Sequence, residues 1–188
     1  MGYINMISLL VYLLEIYVIQ KVLVVYLHQI KLILIPNDIR DVLIGVLLGD
    51  AHIVKRSPTG NSRLVYAQTA VAHKAYFEYV CSLFTTFCVK DYKPQSRIVR
   101  DKRTNKIYSA TSFTTMQLPC FNVFRELFYL SNVKIVPHNI YELLRPKGLV
   151  FLIMNDGSKQ GTGLHISVYA FNNEDVDNLM YTLKINLT

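Results

Sequence analysis

The chain has 188 residues, 52% of them hydrophobic, enough to bury the core of one domain or of two small fused halves, which excludes a disordered polypeptide. Its formal charge of +7, with a pI near 9.3, suits a polyanionic partner or an anionic membrane surface without choosing between them. Cys81, Cys88 and Cys120 are odd in number and none stands at a CxxC or zinc-ligand spacing, so neither a zinc module nor a disulfide framework is expected.

Residues 4 to 35 are conspicuously apolar, but Glu15, Lys21, His28 and Lys31 interrupt them. A bilayer span needs about 20 mostly apolar residues, so a span is disfavoured here. No basic stretch precedes the run, against a secretory signal, and the first arginine is Arg40, against an imported transit peptide. Residues 1–34 are read as an added apolar extension.

Pro36 opens the next segment, where Asn37 or Asp38 is expected to cap a helix carrying Ile39, Leu43, Val46 and Leu47 and ending near Asp50. A strand over Ala51–Arg56, a turn at Ser57-Pro58-Thr59-Gly60-Asn61 and a strand over Arg63–Thr69 then form a hairpin. The spacing of Tyr76, Val80, Leu83, Phe84 and Phe87 predicts a helix over Ala72–Cys88. Strands over Ser96–Arg100 and Ile107–Thr114 flank a polar loop, and Phe121, Phe124 and Phe128 mark the core face of another helix. His73 and His138 have no partner at metal spacing and are read as surface or packing residues.

The beginning of this pattern returns. Ile35-Pro36-Asn37-Asp38-Ile39 is echoed by Val136-Pro137-His138-Asn139-Ile140, and apolar helical sequence follows each copy. The first ends at Gly49-Asp50-Ala51 and the second at Asn155-Asp156-Gly157, with the two acids 106 positions apart. After Asp156 come a strand over Leu164–Tyr169 and a helix over Asn173–Leu183. The second copy is expected to be about two strands and a helix shorter than the first, which would leave unpaired edge groups in an unfinished sheet and reduce stability.

Gly45 and Gly49 lie four apart, on one face of their helix, and permit close approach of a second helix. Two such helices side by side would bring Asp50 and Asp156 together, where hard divalent cations fit between carboxylates and a phosphate. Residues 90 to 106 contain Lys90, Lys93, Arg97, Arg100, Lys102, Arg103 and Lys106 against Asp91 and Asp101, a local charge of +5 suited to phosphate contact.

Ile44-Gly45-Val46-Leu47-Leu48-Gly49-Asp50-Ala51 resembles the first LAGLIDADG motif, and Leu149-Val150-Phe151-Leu152-Ile153-Met154-Asn155-Asp156-Gly157 the second. The resemblance, to the monomeric two-motif branch of the homing endonuclease family, extends from about Ile35 to Leu183. It implies an α/β (α+β) fold of pseudo-symmetric αββαββα repeats with antiparallel DNA-binding sheets, the first half at residues 35–133 and an incomplete second half at 134–188. By motif position Asp50 and Asp156 would hold Mg2+, assisted by the backbone carbonyls of Gly49 and Asn155. Lys134 matches a lysine that tunes the attacking water.

The resemblance implies double-stranded DNA as substrate, contacted by Arg63, Gln68, Arg97, Arg100, Lys102, Arg103 and Lys106. Arg97 and Arg100 are expected to read guanine, and Gln68 adenine. An intron-encoded, mitochondrial, monomeric endonuclease is the leading expectation, degenerate through its shortened second half and with little or no cleavage expected. The alternatives are an RNA-binding maturase that assists splicing of its host intron and a membrane-associated remnant.

Overall fold

The computed structural model describes residues 14–22, 34–100 and 105–186. Residues 14–22 form a helix (α1), and no helix among the described residues is long and apolar enough to cross a membrane. The rest of the extension up to residue 33, together with Lys102 and Arg103, lies outside the described residues.

Helix α2 (Asn37–Leu48) begins where Pro36 fixes the backbone at φ −54°, and the Pro36 carbonyl accepts the amides of Ile39 and Arg40. No side chain caps it, so the expected role of Asn37 or Asp38 falls to the proline carbonyl, while Asp38 complements the helix N-terminus by charge. Seven successive residues, Val42 to Leu48, are buried, because α2 is apolar all round and is packed on more than one side.

One flank of the core is a four-stranded antiparallel sheet in the order β1-β2-β4-β3, from β1 (His52–Val54), β2 (Arg63–Thr69), β3 (Gln95–Arg100) and β4 (Ile107–Thr114). Alternation decides its faces. Ile53, Leu64, Tyr66, Thr111 and Phe113 point into the core. There the rings of Tyr66 and Phe113 meet Phe77 of α3 (Lys74–Leu83), each with centroids 5.9 Å apart. Phe121, Phe124 and Phe128, from α4 (Asn122–Phe128) and the turn before it, are buried as expected. Val65, Ala67 and Thr69 point the other way, toward solvent, and pair with Thr114, Ser112 and Ala110.

The hairpin β5 (Tyr129–Leu130) and β6 (Val133–Lys134) turns through Ser131 and Asn132, both at positive φ, the geometry of a primed two-residue turn. It leads to α5 (Ile140–Leu143) and α6 (Pro146–Asp156), then β7 (Gly157–Gln160), β8 (Gly163–Ile166) and α7 (Asn173–Asn186). Pro146 splits what the apolar pattern suggests is one helix. Polar β7 escapes the hydrophobic pattern because pairing through the turn at Gly161, φ +58°, makes it a strand. The helix expected over Ala72–Cys88 is α3 followed by a 3₁₀ turn at Thr85–Phe87, which brings the rings of Phe84 and Phe87 to centroids 6.3 Å apart.

Helices α2 and α6 pack against one another with almost no side chain between them. A Cβ on Gly45 would stand 2.2 Å from the carbonyl oxygen of Gly148, and one on Gly148 would stand 2.9 Å from that of Asp41. The outward positions show how unequal the repeats are. Val150 and Met154 of α6 are 53% and 50% exposed, whereas their counterparts 106 positions earlier, Ile44 and Leu48, are 1% and 2% exposed. Gly→Ala inside a helix ordinarily gains about 1 kcal/mol. For Gly45→Ala the sign is expected to invert, with a net loss of roughly 1–2 kcal/mol in denaturant titration, because a backbone oxygen cannot turn aside and overpacking costs about 1–3 kcal/mol. Val150→Ala is expected to stay within about 0.5 kcal/mol of the parent chain.

Candidate active site and nucleic-acid groove

The close helix contact sets where the two acids stand. At the C-terminal end of α2 the amide of Ala51 bonds the Val46 carbonyl at 2.9 Å, so the chain turns sharply through Gly49 and Asp50. A Cβ on Gly49 would lie 2.7 Å from the Cβ of Asn155 and 3.0 Å from a carboxylate oxygen of Asp156. Only the lack of a side chain at Gly49 lets the carboxylate of α6 lie against the end of α2. Asp50 and Asp156 thus meet at the same end of the pair.

Lys134 enters the same space from β6. Its Nζ donates to the carbonyl oxygens of Gly49 at 2.6 Å and Ala51 at 3.1 Å. Burial pushes this amine down to about 8, against the opposing pull of Asp156 and Asp50. Burial, with repulsion from Asp50, pushes the Asp156 carboxyl up to about 6. Burial also raises the Asp50 carboxyl, opposed by the Gln68 hydrogen bond and by Lys134. The Gly49 carbonyl, expected to assist a metal, is thus engaged by the lysine ammonium and has one lone pair left.

Gln68 is the main departure from expectation. On β2 it shares the parity of Leu64 and Tyr66, and its Nε2 donates to Asp50 Oδ2 at 2.5 Å and Asn155 Oδ1 at 3.2 Å. It is a partner of the carboxylate and also lines the groove that begins there. Asn155 is the centre of this network. Its Oδ1 also accepts the Tyr66 hydroxyl at 2.9 Å, while its Nδ2 donates to Tyr76 Oη at 3.0 Å and to the Phe151 carbonyl at 2.7 Å. The side chain of Asn155 is therefore fully occupied in joining the repeats, which leaves its backbone carbonyl as the atom for the expected metal role. Of the network residues, the sequence singles out no role for Tyr66 and marks Tyr76 only as a position on the apolar face of its helix. Strand alternation from Leu64 carries the signal for Tyr66 and Gln68; nothing in the sequence carries it for Tyr76.

The basic residues divide. A groove of about 560 Å³ runs from Asp50 and Gln68 over the bare sheet face, lined by Ala67, Thr69, Arg97, Val99, Tyr108 and Ala110. Arg63 shares this face by parity, three strand positions before Tyr66. Arg97 pairs with Ala110 and faces the groove, but Arg100, three positions on, faces the opposite side of an exposed edge strand. The expectation that both read bases meets this limit of alternation. Lys106 is exposed just before β4.

Among the described residues no group of three or more His, Cys, Asp or Glu side chains could hold a metal ion. The donor set is the carboxylate pair. Such a pair, both raised in pKa by burial and Asp156 further by repulsion from Asp50, fits a hard divalent cation that takes its remaining ligands from water and phosphate.

The architecture matches known proteins. The homing endonuclease I-WcaI, in its structure bound to its DNA recognition sequence, superimposes with a TM-score of 0.70 at 20% identity, over 80% of this chain and 67% of that one, which shows a shared fold. The cytochrome b mRNA maturases bI2 of Debaryomyces hansenii and Saccharomyces cerevisiae are 29% and 28% identical over 80% and 78% of the chain, which spans 57% and 36% of their lengths. DNA endonuclease I-ChuI of Chlamydomonas applanata is 28% identical over 63% of the chain and 57% of its own length. The model of the LAGLIDADG DNA endonuclease family matches residues 40–187, most of the chain and both acidic helix ends, and the protein therefore belongs to that family.

Proposed function

We propose that the chain is a site-specific, divalent-metal-dependent DNA endonuclease. The observation that carries this reading is the meeting of Asp50, Asp156 and Lys134 at one end of a glycine-packed helix pair, beside the groove that Arg97 lines. Double-stranded DNA is the substrate that fits a net charge of +7 and a groove ending at a carboxylate pair. One chain supplies both acids, so a monomer suffices. The relatives named for cytochrome b mRNA support an intron-encoded, mitochondrial setting.

Asp50 and Asp156 would hold magnesium, with the free lone pair of the Gly49 carbonyl and the backbone of Asn155 within the same turn ends. When bound, the ion supplies activation of water and neutralisation of charge on the phosphate and the departing 3′ oxygen. Gln68 fixes the orientation of Asp50. Lys134, an amine near 8, exchanges its proton close to neutral pH and sets positive charge beside both acids. The water oxygen loses a proton and bonds to phosphorus as the bond to the 3′ oxygen breaks and that oxygen takes up a proton, leaving a 5′ phosphate and a 3′ hydroxyl.

The two acids are not equally supported. Gln68 and Lys134 engage Asp50 and its neighbours, whereas no hydrogen bond to the Asp156 carboxylate is found among the described residues. Cleavage of a duplex carrying the intron-insertion site is therefore expected to yield nicked product before linear product. Equal rates on both strands, followed by end labelling, would contradict that. Asp50→Asn and Asp156→Asn are each expected to reduce cleavage at least roughly a hundredfold, since even changes outside the ligand shell cost about 10–100-fold.

A second reading is favoured by the two maturase relatives: an RNA-binding protein that assists splicing. Cleavage abolished by Asp50→Asn with unchanged splicing of the host intron favours the endonuclease. A folded wild-type chain that cuts no insertion-site DNA but restores splicing favours the maturase.

The acids also set a pH dependence. Asp156 titrates near 6 when folded against 3.8 unperturbed, so the folded state binds more protons in this window and stability falls as pH rises from about 4 to 6. In metal-free buffer Asp156→Asn is thus expected to raise the thermal midpoint at pH 7 and to leave it nearly unchanged at pH 4. A lower midpoint at pH 7 would show that the carboxylate is stabilised rather than strained.

A further inference from the structure

We propose that Arg125 is a positioning residue for cleavage: its guanidinium ties the free edge of β1 to the β5–β6 hairpin and thereby sets where the Lys134 amine stands beside the two acids. This deepens the endonuclease reading and rests on it. β1 ends the sheet order β1-β2-β4-β3. An edge residue whose amide and carbonyl face away from the neighbouring strand needs other partners for both. Ile53 finds them in side chains of α4 and β5. Its amide donates to the Tyr129 hydroxyl at 2.9 Å, and its carbonyl accepts Arg125 Nη1 at 2.9 Å. The carbonyls of Ala51 and Gly49, next in alternation toward Asp50, are the two that Lys134 takes. A lysine and an arginine thus hold three alternate carbonyls leading out of the acidic turn.

The other arm of the guanidinium, Nη2, donates to the Asn132 side chain. Asn132 stands in the hairpin turn at φ +70°, and Lys134 follows it on β6, opposite Tyr129 in the strand register. The guanidinium carbon lies 4.0 Å from the centroid of the Tyr129 ring. Arg125 therefore holds the hairpin that carries Lys134 against the strand that leads from its acceptors. A planar fork can bind two acceptors while stacking on a ring, whereas a lysine presents a point charge. Phe124 and Phe128, buried on the same helix, give the fork a fixed base. Without it the hairpin keeps only the pairs Tyr129–Lys134 and Leu130–Val133, and the flexible lysine stem loses its reference. Misplacement of about 1 Å at a reacting centre costs on the order of a hundredfold in rate.

The test pairs a double-mutant cycle on cleavage of insertion-site DNA with acetic anhydride labelling of the metal-free chain, read by mass spectrometry with exposed Lys147 as internal standard. Arg125→Lys, which keeps the charge and loses the fork, is expected to lower kcat roughly tenfold or more with KM within about twofold. In a Lys134→Met background the same change should alter cleavage by less than about twofold, because Arg125 acts through the lysine. Labelling of Lys134 should rise several-fold in Arg125→Lys and stay at the wild-type rate in Glu126→Gln, its exposed neighbour. Losses at Arg125 and Lys134 that multiply, or wild-type labelling of Lys134 in the folded Arg125→Lys chain, overturn the assignment and leave the nuclease reading intact. A wild-type chain that cuts no insertion-site DNA overturns that reading, and the labelling still decides whether Arg125 sets the lysine.

Discussion

The contact on which the site depends is backbone against backbone. Gly45 and Gly148 allow α2 and α6 to approach until carbonyl oxygens fill the space that a Cβ would need, and at the end where the acids emerge Gly49 leaves that space to the side chains of Asn155 and Asp156. Dispersion between two closely fitted helices is the favourable term here, and it falls steeply with a gap of even half an ångström. Placing two carboxylates at that end opposes it. Asp156 and Asp50 are held where burial raises both pKa values and Asp50 raises that of Asp156 further, so the packing elsewhere in the core offsets a local electrostatic cost. Strain of this kind belongs to sites that await a positive charge.

Around this contact the polar groups are arranged unequally. Asn155 satisfies both ends of its amide with Tyr66, Gln68, Tyr76 and the Phe151 carbonyl, and so ties α6 to the sheet and to α3. The equivalent position on α2 is Gly49, which has no side chain to do the same for Asp156. Pseudo-symmetry therefore holds for the helices and fails for their hydrogen bonds. Lys134 adds to the imbalance, since its two carbonyl partners both flank Asp50. Arg125 supports that lysine from a distance: it donates to the Ile53 carbonyl and to Asn132 and lies over the ring of Tyr129, fixing β1 and the β5–β6 turn together.

The sheet works by the same economy of faces. Its inner side carries the aromatic cluster of Tyr66, Phe77, Phe84 and Phe113, whose buried area holds the strands in register. That register fixes every residue of the outer side, because a slip of one position would exchange the two faces. Arg97 faces the groove for the same reason that Phe113 faces the core.

Much of this was legible in the sequence. Helical spacing of apolar residues, alternation in Arg63–Thr69 and Ile107–Thr114, and the echo of Ile35–Ile39 in Val136–Ile140 locate the elements and pair the two acids, since these signals are local or repeat along the chain. Gly45 and Gly49, one helical turn apart, announce the close helix contact. Tertiary structure alone decided the rest. Gly148 joins the contact from outside the aligned motif, Gln68 turns to Asp50, and Tyr76 comes to Asn155 from another helix. Polar β7 becomes a strand through its partner. Hydrogen bonds between residues 75 to 89 positions apart leave no periodicity in the chain, for their geometry exists only once the core has set both partners in place.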